Sequence, residues 1–142
     1  PYVVNYAGHG TAGAWSGSPV WFSVFNVSCT NGATQCVANT NSESLYLMLT
    51  CLNGYFVQTT SDSLAESLLF LEDRGAVASW ASTGETTADV QEIMGQRFYQ
   101  KVSEGSIPRI GDLIKDAKST IPGGTDVRLS WALFGDPTMR VR

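Results

Sequence analysis

The sequence predicts a single α/β domain whose mainly parallel sheet is covered by helices on both faces. Short apolar segments alternate with longer segments of helical periodicity, and this alternation is typical of parallel α/β folds. Residues 44–50 are almost continuously apolar, as expected for a strand buried on both faces of such a sheet. A length of 142 residues is enough for one hydrophobic core and too short for two.

The composition argues against several classes of protein. With 43% hydrophobic residues, 11% aromatic residues and a net charge of −4, disorder is not expected. The nine Lys and Arg residues form no basic stripe, which argues against a nucleic acid or an anionic membrane as partner. No segment approaches the ~18 consecutive apolar residues of a membrane span. We therefore expect a peptide or a small molecule as the partner.

The first half of the chain predicts two strands separated by a long loop. Residues 1–7 form the first strand, and the glycine-rich segment 8–13 is too flexible for any regular element. The apolar run 20–25 fits either a short strand or a helical turn, and the polar segment 26–41 is a loop. The next strand is 44–50, which ends next to Cys51.

The second half predicts helices with clear end signals. Ser63 and Glu66 have the spacing of a capping box, Gly75 and Gly105 end helices, and Pro108 begins one. The predicted helices are 63–75, 89–104 and 108–124. The predicted strands are 76–81 and 127–134, the latter leading into a Gly-Asp-Pro turn.

In parallel α/β folds the functional residues usually lie at the carboxyl ends of the strands. In this sequence the predicted strand ends carry the segments 8–10, 50–54 and 79–84. His9, the single histidine, and Cys51 are therefore expected on the same edge of the sheet.

The three cysteines cannot all pair within the chain. Cys29 and Cys36 are close enough in the sequence to form a disulfide that closes a short loop in an oxidising compartment. Cys51 would then have no partner within the chain. An odd cysteine is a buried core residue, an intermolecular link or a nucleophile. A zinc site is not expected, because one His and no Cys-x-x-Cys motif supply too few ligands.

A cysteine nucleophile needs a neighbouring base, and His9 is the imidazole that this sequence offers. Gly10 allows the backbone to approach a substrate closely, so its N–H and that of Cys51 are candidate donors to an oxyanion. The alternative is that Gly8 and Gly10 only form a tight turn that leaves His9 on the surface.

Two motifs carry a resemblance to a known family. The segment Asn5-Tyr6-Ala7-Gly8-His9-Gly10 and the segment Leu49-Thr50-Cys51-Leu52-Asn53-Gly54-Tyr55-Phe56 resemble the His and Cys motifs of the gingipain family of cysteine peptidases, in the caspase-like clan. Three later segments also resemble motifs of this family and occur in the same order along the chain: 63–66, 75–84 and 133–138. The resemblance covers about residues 2 to 142.

The resemblance implies a three-layer caspase-like fold and cleavage of peptide bonds through a Cys-His dyad and a thioester acyl-enzyme. It assigns Cys51 as the nucleophile, His9 as the general acid and base, and the N–H groups of Gly10 and Cys51 as oxyanion donors. Trp80, Ala81 and Ser82 would flank the substrate backbone, although Trp80 fits the hydrophobic core equally well. No cofactor or metal is expected.

The family's catalytic domain has further strands before its His strand, and this sequence lacks them. We therefore expect residues 1–142 to be the C-terminal part of a gingipain-like catalytic domain, completed by an N-terminal companion chain unless the strands were deleted. The resemblance also implies a bacterial protein that is secreted or at the cell surface. Two alternatives remain: a non-catalytic caspase-like binding or assembly module, and a caspase-like regulatory protease of bacterial signalling.

Three acidic residues have two interpretations each. Asp136 is either a third catalytic group or, more commonly in a Gly-Asp-Pro turn, a hydrogen-bond partner of its own backbone. Glu85 and Asp89 either select a basic substrate side chain or interact with the N-terminus of the helix 89–104, which is the commoner role.

Overall fold

The structure is a computed structural model that describes residues 3–16, 20 and 22–141 of the chain, which contain both strands and helices. Its strands are β1 (Val3–Ala7), β2 (Gly10–Thr11), β3 (Ala14–Trp15), β4 (Phe22–Ser23), β5 (Ser44–Leu49), β6 (Ala76–Ser82) and β7 (Trp131–Gly135). Its helices are α1 (Val24–Ser28), α2 (Leu64–Leu69), α3 (Ala88–Glu104), α4 (Ile110–Ser119) and α5 (Thr125–Ser130).

The central sheet has the strand order β1-β5-β6-β7. The strands β1, β5 and β6 are parallel, whereas β7 runs antiparallel to β6. The prediction of a mainly parallel sheet is therefore confirmed. In the register of β1 and β5, Ala7 lies beside Leu49, so the two strands end side by side.

The apolar character of β5 follows from its place between two layers of helices, because all six of its residues are buried. Leu45, Leu47 and Leu49 face the core formed with α3 and α4. Tyr46 and Met48 face the opposite core, formed with α1 and α2. The prediction of helices on both faces, and thus of three layers, is confirmed.

Two of the predicted helix ends, the start of α2 and the end of α3, have the expected capping structure. The Ser63 and Glu66 side chains form the capping box, with 2.7 Å between Ser63 Oγ and Glu66 Oε2. Gly105 ends α3 in the left-handed conformation, with φ of 64°. The helix that starts at Ser63 is shorter than predicted, since it ends at Leu69. Gly75 instead closes the turn into β6, where its N–H donates to Asn39 Oδ1 at 2.8 Å.

The predicted strand 127–134 is wrong in its first half, because residues up to Ser130 belong to α5 and the strand begins at Trp131. Two consecutive glycines, Gly123 and Gly124, take positive φ and reverse the chain before this helix. The Arg128 guanidinium then donates to the carbonyl oxygens of Ile121 and Gly123, which holds the helical turn in place.

The first half of the chain also departs from the sequence prediction. Residues 10–11 of the glycine-rich segment pair with β3 and are therefore not irregular. Both alternatives for the run 20–25 occur in part, because Phe22–Ser23 is a strand and α1 begins at Val24. Residues 1, 2 and 21 of these predicted elements lie outside the described residues.

The loop that follows α1 is closed by a disulfide between Cys29 and Cys36. Cys51 remains a free thiol. None of the described helices combines the length and the apolar character that crossing a bilayer requires.

Candidate active site

His9 and Cys51 reach the same edge of the sheet because the strands that precede them are parallel neighbours. Each residue follows the end of its strand by two positions, His9 after β1 and Cys51 after β5. Both residues line one groove of about 650 Å³. The structure thus brings together the two residues that the sequence analysis singled out.

The other wall of the groove is formed by α3, from its start to Tyr99. Gln91, Glu92, Gln96 and Tyr99 from this helix line it. Glu92 is the one carboxylate among the lining residues within the described part of the chain. The groove is therefore an open cleft with a thiol and an imidazole on one side and mostly uncharged polar groups on the other.

The Cys51 thiol is half-buried and held by the backbone of the loop between β6 and α3. The Thr86 N–H donates to Cys51 Sγ at 3.4 Å, and the thiol donates to the Thr86 carbonyl at 3.3 Å. These contacts fix the sulfur at the groove wall. The sequence analysis missed Thr86, and no residue pattern could have revealed it, because the contact is made by backbone atoms.

The His9 side chain is exposed, whereas its backbone is anchored. The His9 carbonyl accepts hydrogen bonds from the Ser16 N–H at 2.9 Å and from the Tyr6 hydroxyl at 3.2 Å. The backbone around His9 is therefore held on the rim while its imidazole stays accessible at the groove.

Gly10 lies where the segment after His9 contacts the segment that carries Cys51. A Cβ atom at this position would lie 2.7 Å from the Cys51 carbonyl oxygen and 2.6 Å from Thr50 Oγ1, closer than side chains allow. A glycine is therefore needed for this close approach. The Cys51 N–H finds no hydrogen-bond acceptor among the described residues.

The side chains of Trp80, Ala81 and Ser82, which were predicted to flank the substrate backbone, are all fully buried at 0% exposure. The reason is that β6 is an internal strand of the sheet, with β5 and β7 on either side and helices above and below. Trp80 packs on Phe98 and Trp131, with ring centroids 5.6 and 5.3 Å away. The core alternative for Trp80 is the correct one.

Two of the acidic residues considered from the sequence, Asp89 and Asp136, have local roles. Asp89 lies in the first turn of α3, and hydrogen bonds from the Thr87 side chain and the Val90 backbone lower its pKa. Asp136 accepts from the Thr138 N–H and hydroxyl, both at 2.8 Å, and these bonds lower the pKa of Asp136. Neither Asp89 nor Glu85 lines the groove.

Metal-ligating side chains do not gather in the described ranges. No three His, Cys, Asp or Glu residues there come close enough together to hold a metal ion.

The chain matches the model of a known protein family. The family model for peptidase family C25 matches residues 1–142. A search of the curated proteins with this sequence found no match.

Comparison with solved structures supports the same assignment. The crystal structure of gingipain R (RgpB), an Arg-specific cysteine proteinase, is 25% identical with a TM-score of 0.78 and is matched over 99% of this chain and 33% of that one. The complex of the pro- and mature domains of RgpB from Porphyromonas gingivalis is 23% identical with a TM-score of 0.85, over 99% of this chain and 34% of that one. A structure described as a protease is 12% identical with a TM-score of 0.76, over 98% and 35%.

These structures share the caspase-like α/β fold that the motifs predicted, and this chain spans about a third of their length. The family match extends over every residue of the chain, so the chain belongs to peptidase family C25, as its resemblance to the gingipain-type cysteine peptidases indicated.

Proposed function

We propose that this chain supplies the nucleophile and the general base of a cysteine endopeptidase, Cys51 and His9. The observation that carries the proposal is the meeting of these two residues in one groove at the ends of adjacent parallel strands. Membership of a peptidase family supports it. Because the chain spans about a third of its structural neighbours, the proposal concerns the enzyme that contains this chain.

Acylation begins when the His9 imidazole takes the proton of the Cys51 thiol. The sulfur attacks the carbonyl carbon of the scissile peptide bond, and a tetrahedral intermediate forms. The C–N bond then breaks, His9 donates the proton to the leaving amine, and the acyl group remains on Cys51 as a thioester.

Hydrolysis uses the same groups in the reverse order. His9 takes a proton from a water molecule, whose oxygen attacks the thioester carbon. The C–S bond breaks, the carboxylic acid leaves, and the sulfur receives the proton back from the imidazole.

The N–H groups of Gly10 and Cys51 are proposed as the donors that stabilise the negative oxygen of the tetrahedral intermediates. The close approach of Gly10 to the Cys51 backbone supports this role. Removing a donor of this kind costs about 3 to 4 kcal/mol of transition-state stabilisation in enzymes where it has been measured.

The backbone of Thr86 has two opposing effects on the reaction. Its carbonyl accepts a hydrogen bond from the thiol in the resting structure, so the S–H must turn away from Thr86 before His9 can receive the proton. Its N–H donates to the sulfur and stabilises the thiolate once the proton has left.

We also propose that an N-terminal portion, either upstream residues of the same protein or a companion chain, pairs with the outer edge of β1. Within the described residues, β1 is an edge strand that pairs with β5 alone. An unpaired edge is a ready site for another strand. The short span of the chain against its neighbours, one of which is a complex of pro- and mature domains, supports this proposal.

We propose a secreted or cell-surface location for the enzyme. The disulfide between Cys29 and Cys36 supports this location, because disulfides persist mainly in oxidising compartments.

The alkylation of Cys51 by iodoacetamide tests the proposed pair. At pH 6 we expect wild-type Cys51 to react at least about tenfold faster than Cys51 in the His9→Ala variant, since the imidazole promotes loss of the thiol proton. Cys51 is the free cysteine, so mapping the modified peptide reports on this site directly.

The control variant is Glu72→Ala, an exposed residue on the turn before β6, at the opposite end of the sheet. This variant should react at the wild-type rate. Equal rates in the wild type and in His9→Ala would contradict the pair and would favour the alternative of a non-catalytic binding module.

A further inference from the structure

The polar side chain of Asn53 is fully buried, at 0% exposure. No step of the proposed mechanism uses it. Its Nδ2 donates to the Thr11 carbonyl at 2.6 Å and to the Ala14 carbonyl at 3.1 Å. Its Oδ1 accepts from the Thr50 hydroxyl at 2.5 Å. One amide group therefore makes three hydrogen bonds inside the protein.

These bonds join the two segments that carry the proposed catalytic groups. Thr11 and Ala14 belong to the β2–β3 hairpin, which begins at Gly10, directly after His9. Thr50 is the residue before Cys51. The segments lie about 40 positions apart in the sequence, and the Asn53 side chain connects them through space.

Backbone hydrogen bonds also attach both segments, the β2–β3 hairpin and the segment that carries Cys51, to the first turn of α2. The Leu64 N–H donates to the Ala12 carbonyl at 2.7 Å, and the Ala65 N–H donates to the Asn53 carbonyl at 3.0 Å. The hairpin and the Cys51 segment are thus fixed to one helix end. The Asn53 amide adds the direct link that sets their separation.

We propose that Asn53 is a positioning residue that holds the His9–Gly10 segment at the correct distance from Cys51. The inference rests on the proposed function, because the distance matters only if His9 and Cys51 react as a pair. Asn53 itself does not line the groove. Small errors in the placement of reacting groups lower rates strongly, and a buried amide held by three hydrogen bonds resists such errors.

A purely structural role for Asn53 is the competing interpretation, and Asn39 provides a matched control. Asn39 Nδ2 donates to the carbonyls of Ser42 at 3.0 Å and Gly75 at 2.9 Å, and its Oδ1 accepts from the Gly75 N–H at 2.8 Å. It therefore also makes three hydrogen bonds, although its Oδ1 accepts from a backbone N–H instead of a hydroxyl and the residue is half-buried. It lies at the opposite end of the sheet, where β5 and β6 begin.

The test measures how strongly alkylation of Cys51 depends on His9 in three backgrounds: wild type, Asn53→Ala and Asn39→Ala. In each background the rate at pH 6 is compared with and without His9→Ala, as in a double-mutant cycle. We expect a His9 effect of about tenfold or more in the wild type and in Asn39→Ala, and of less than about threefold in Asn53→Ala.

Each outcome has a distinct meaning. An undiminished His9 effect in Asn53→Ala overturns the positioning role while leaving the proposed function intact. A reduced effect in both asparagine variants overturns it as well, because general loosening of the fold then explains the result. No His9 effect in the wild type overturns the proposed function and the inference with it.

If Asn53→Ala does not fold, as judged by circular dichroism, Thr50→Val takes its place in the cycle. This substitution removes the hydroxyl that donates to Asn53 Oδ1 and keeps a side chain of similar shape. We expect a reduced His9 effect in Thr50→Val and restoration in Thr50→Ser, which keeps the hydroxyl. Equal His9 effects in Thr50→Val and the wild type would overturn the inference.

Discussion

Replacing Cys51 with alanine is expected to lower kcat of the enzyme that contains this chain by about 10⁴-fold or more, as loss of the nucleophile does in other hydrolases. The physical reason is that no thioester can form without the sulfur. Oxyanion donors and substrate binding then account for the rate that remains. The measurement is the steady-state hydrolysis of a peptide substrate by the wild type and by Cys51→Ala at equal concentration.

The control for this prediction is the double variant Cys29→Ser and Cys36→Ser. It removes the other two sulfur atoms without touching the groove, whose lining includes neither residue. We expect it to keep kcat within a few-fold of the wild type, although its stability falls because a disulfide is lost. A Cys51→Ala variant that keeps more than about a tenth of the wild-type kcat would contradict the assignment of the nucleophile.

Replacing Trp80 with alanine is expected to lower the free energy of unfolding by about 3 to 5 kcal/mol. The Trp80 side chain is fully buried between the sheet and α3, against Phe98 and Trp131. Truncation removes a large apolar surface from the core and leaves a cavity that the surrounding strands cannot fill. Urea denaturation of the purified variant measures the loss.

Leu129→Ala is the control for Trp80, because Leu129 is 79% exposed on α5. We expect its free energy of unfolding to change by no more than about 0.5 kcal/mol. A Trp80→Ala variant with wild-type stability and a raised KM for peptide substrates would contradict the core position and would restore the substrate contact that the sequence analysis considered.

Much of the fold follows from patterns that depend on burial. The run 44–50 is almost continuously apolar because β5 is covered on both faces, and this pattern is visible without a structure. The shared edge of His9 and Cys51 follows in turn, since neighbouring parallel strands end on the same side.

The other features of the fold and of the candidate site depend on tertiary contacts that leave no recognisable pattern in the sequence. The segment 127–134 is short and mostly apolar, and its split into α5 and β7 depends on the reversal at Gly123 and Gly124. The burial of Trp80 depends on β7 packing beside β6, which the alternation of strands and helices does not specify. The contact of Thr86 with the sulfur is made by backbone atoms and is therefore independent of the residue type.

The most direct test of the central claim, that Cys51 is the nucleophile of a peptidase, is the capture of its acyl-enzyme. The enzyme that contains this chain is mixed with an ester or peptide substrate, quenched with acid within milliseconds, and digested for mass spectrometry. The account predicts the mass of the substrate's acyl group on the peptide that contains Cys51, and its absence in Cys51→Ala. Continued hydrolysis with the acyl group on another residue, or undiminished hydrolysis in Cys51→Ala, would contradict it.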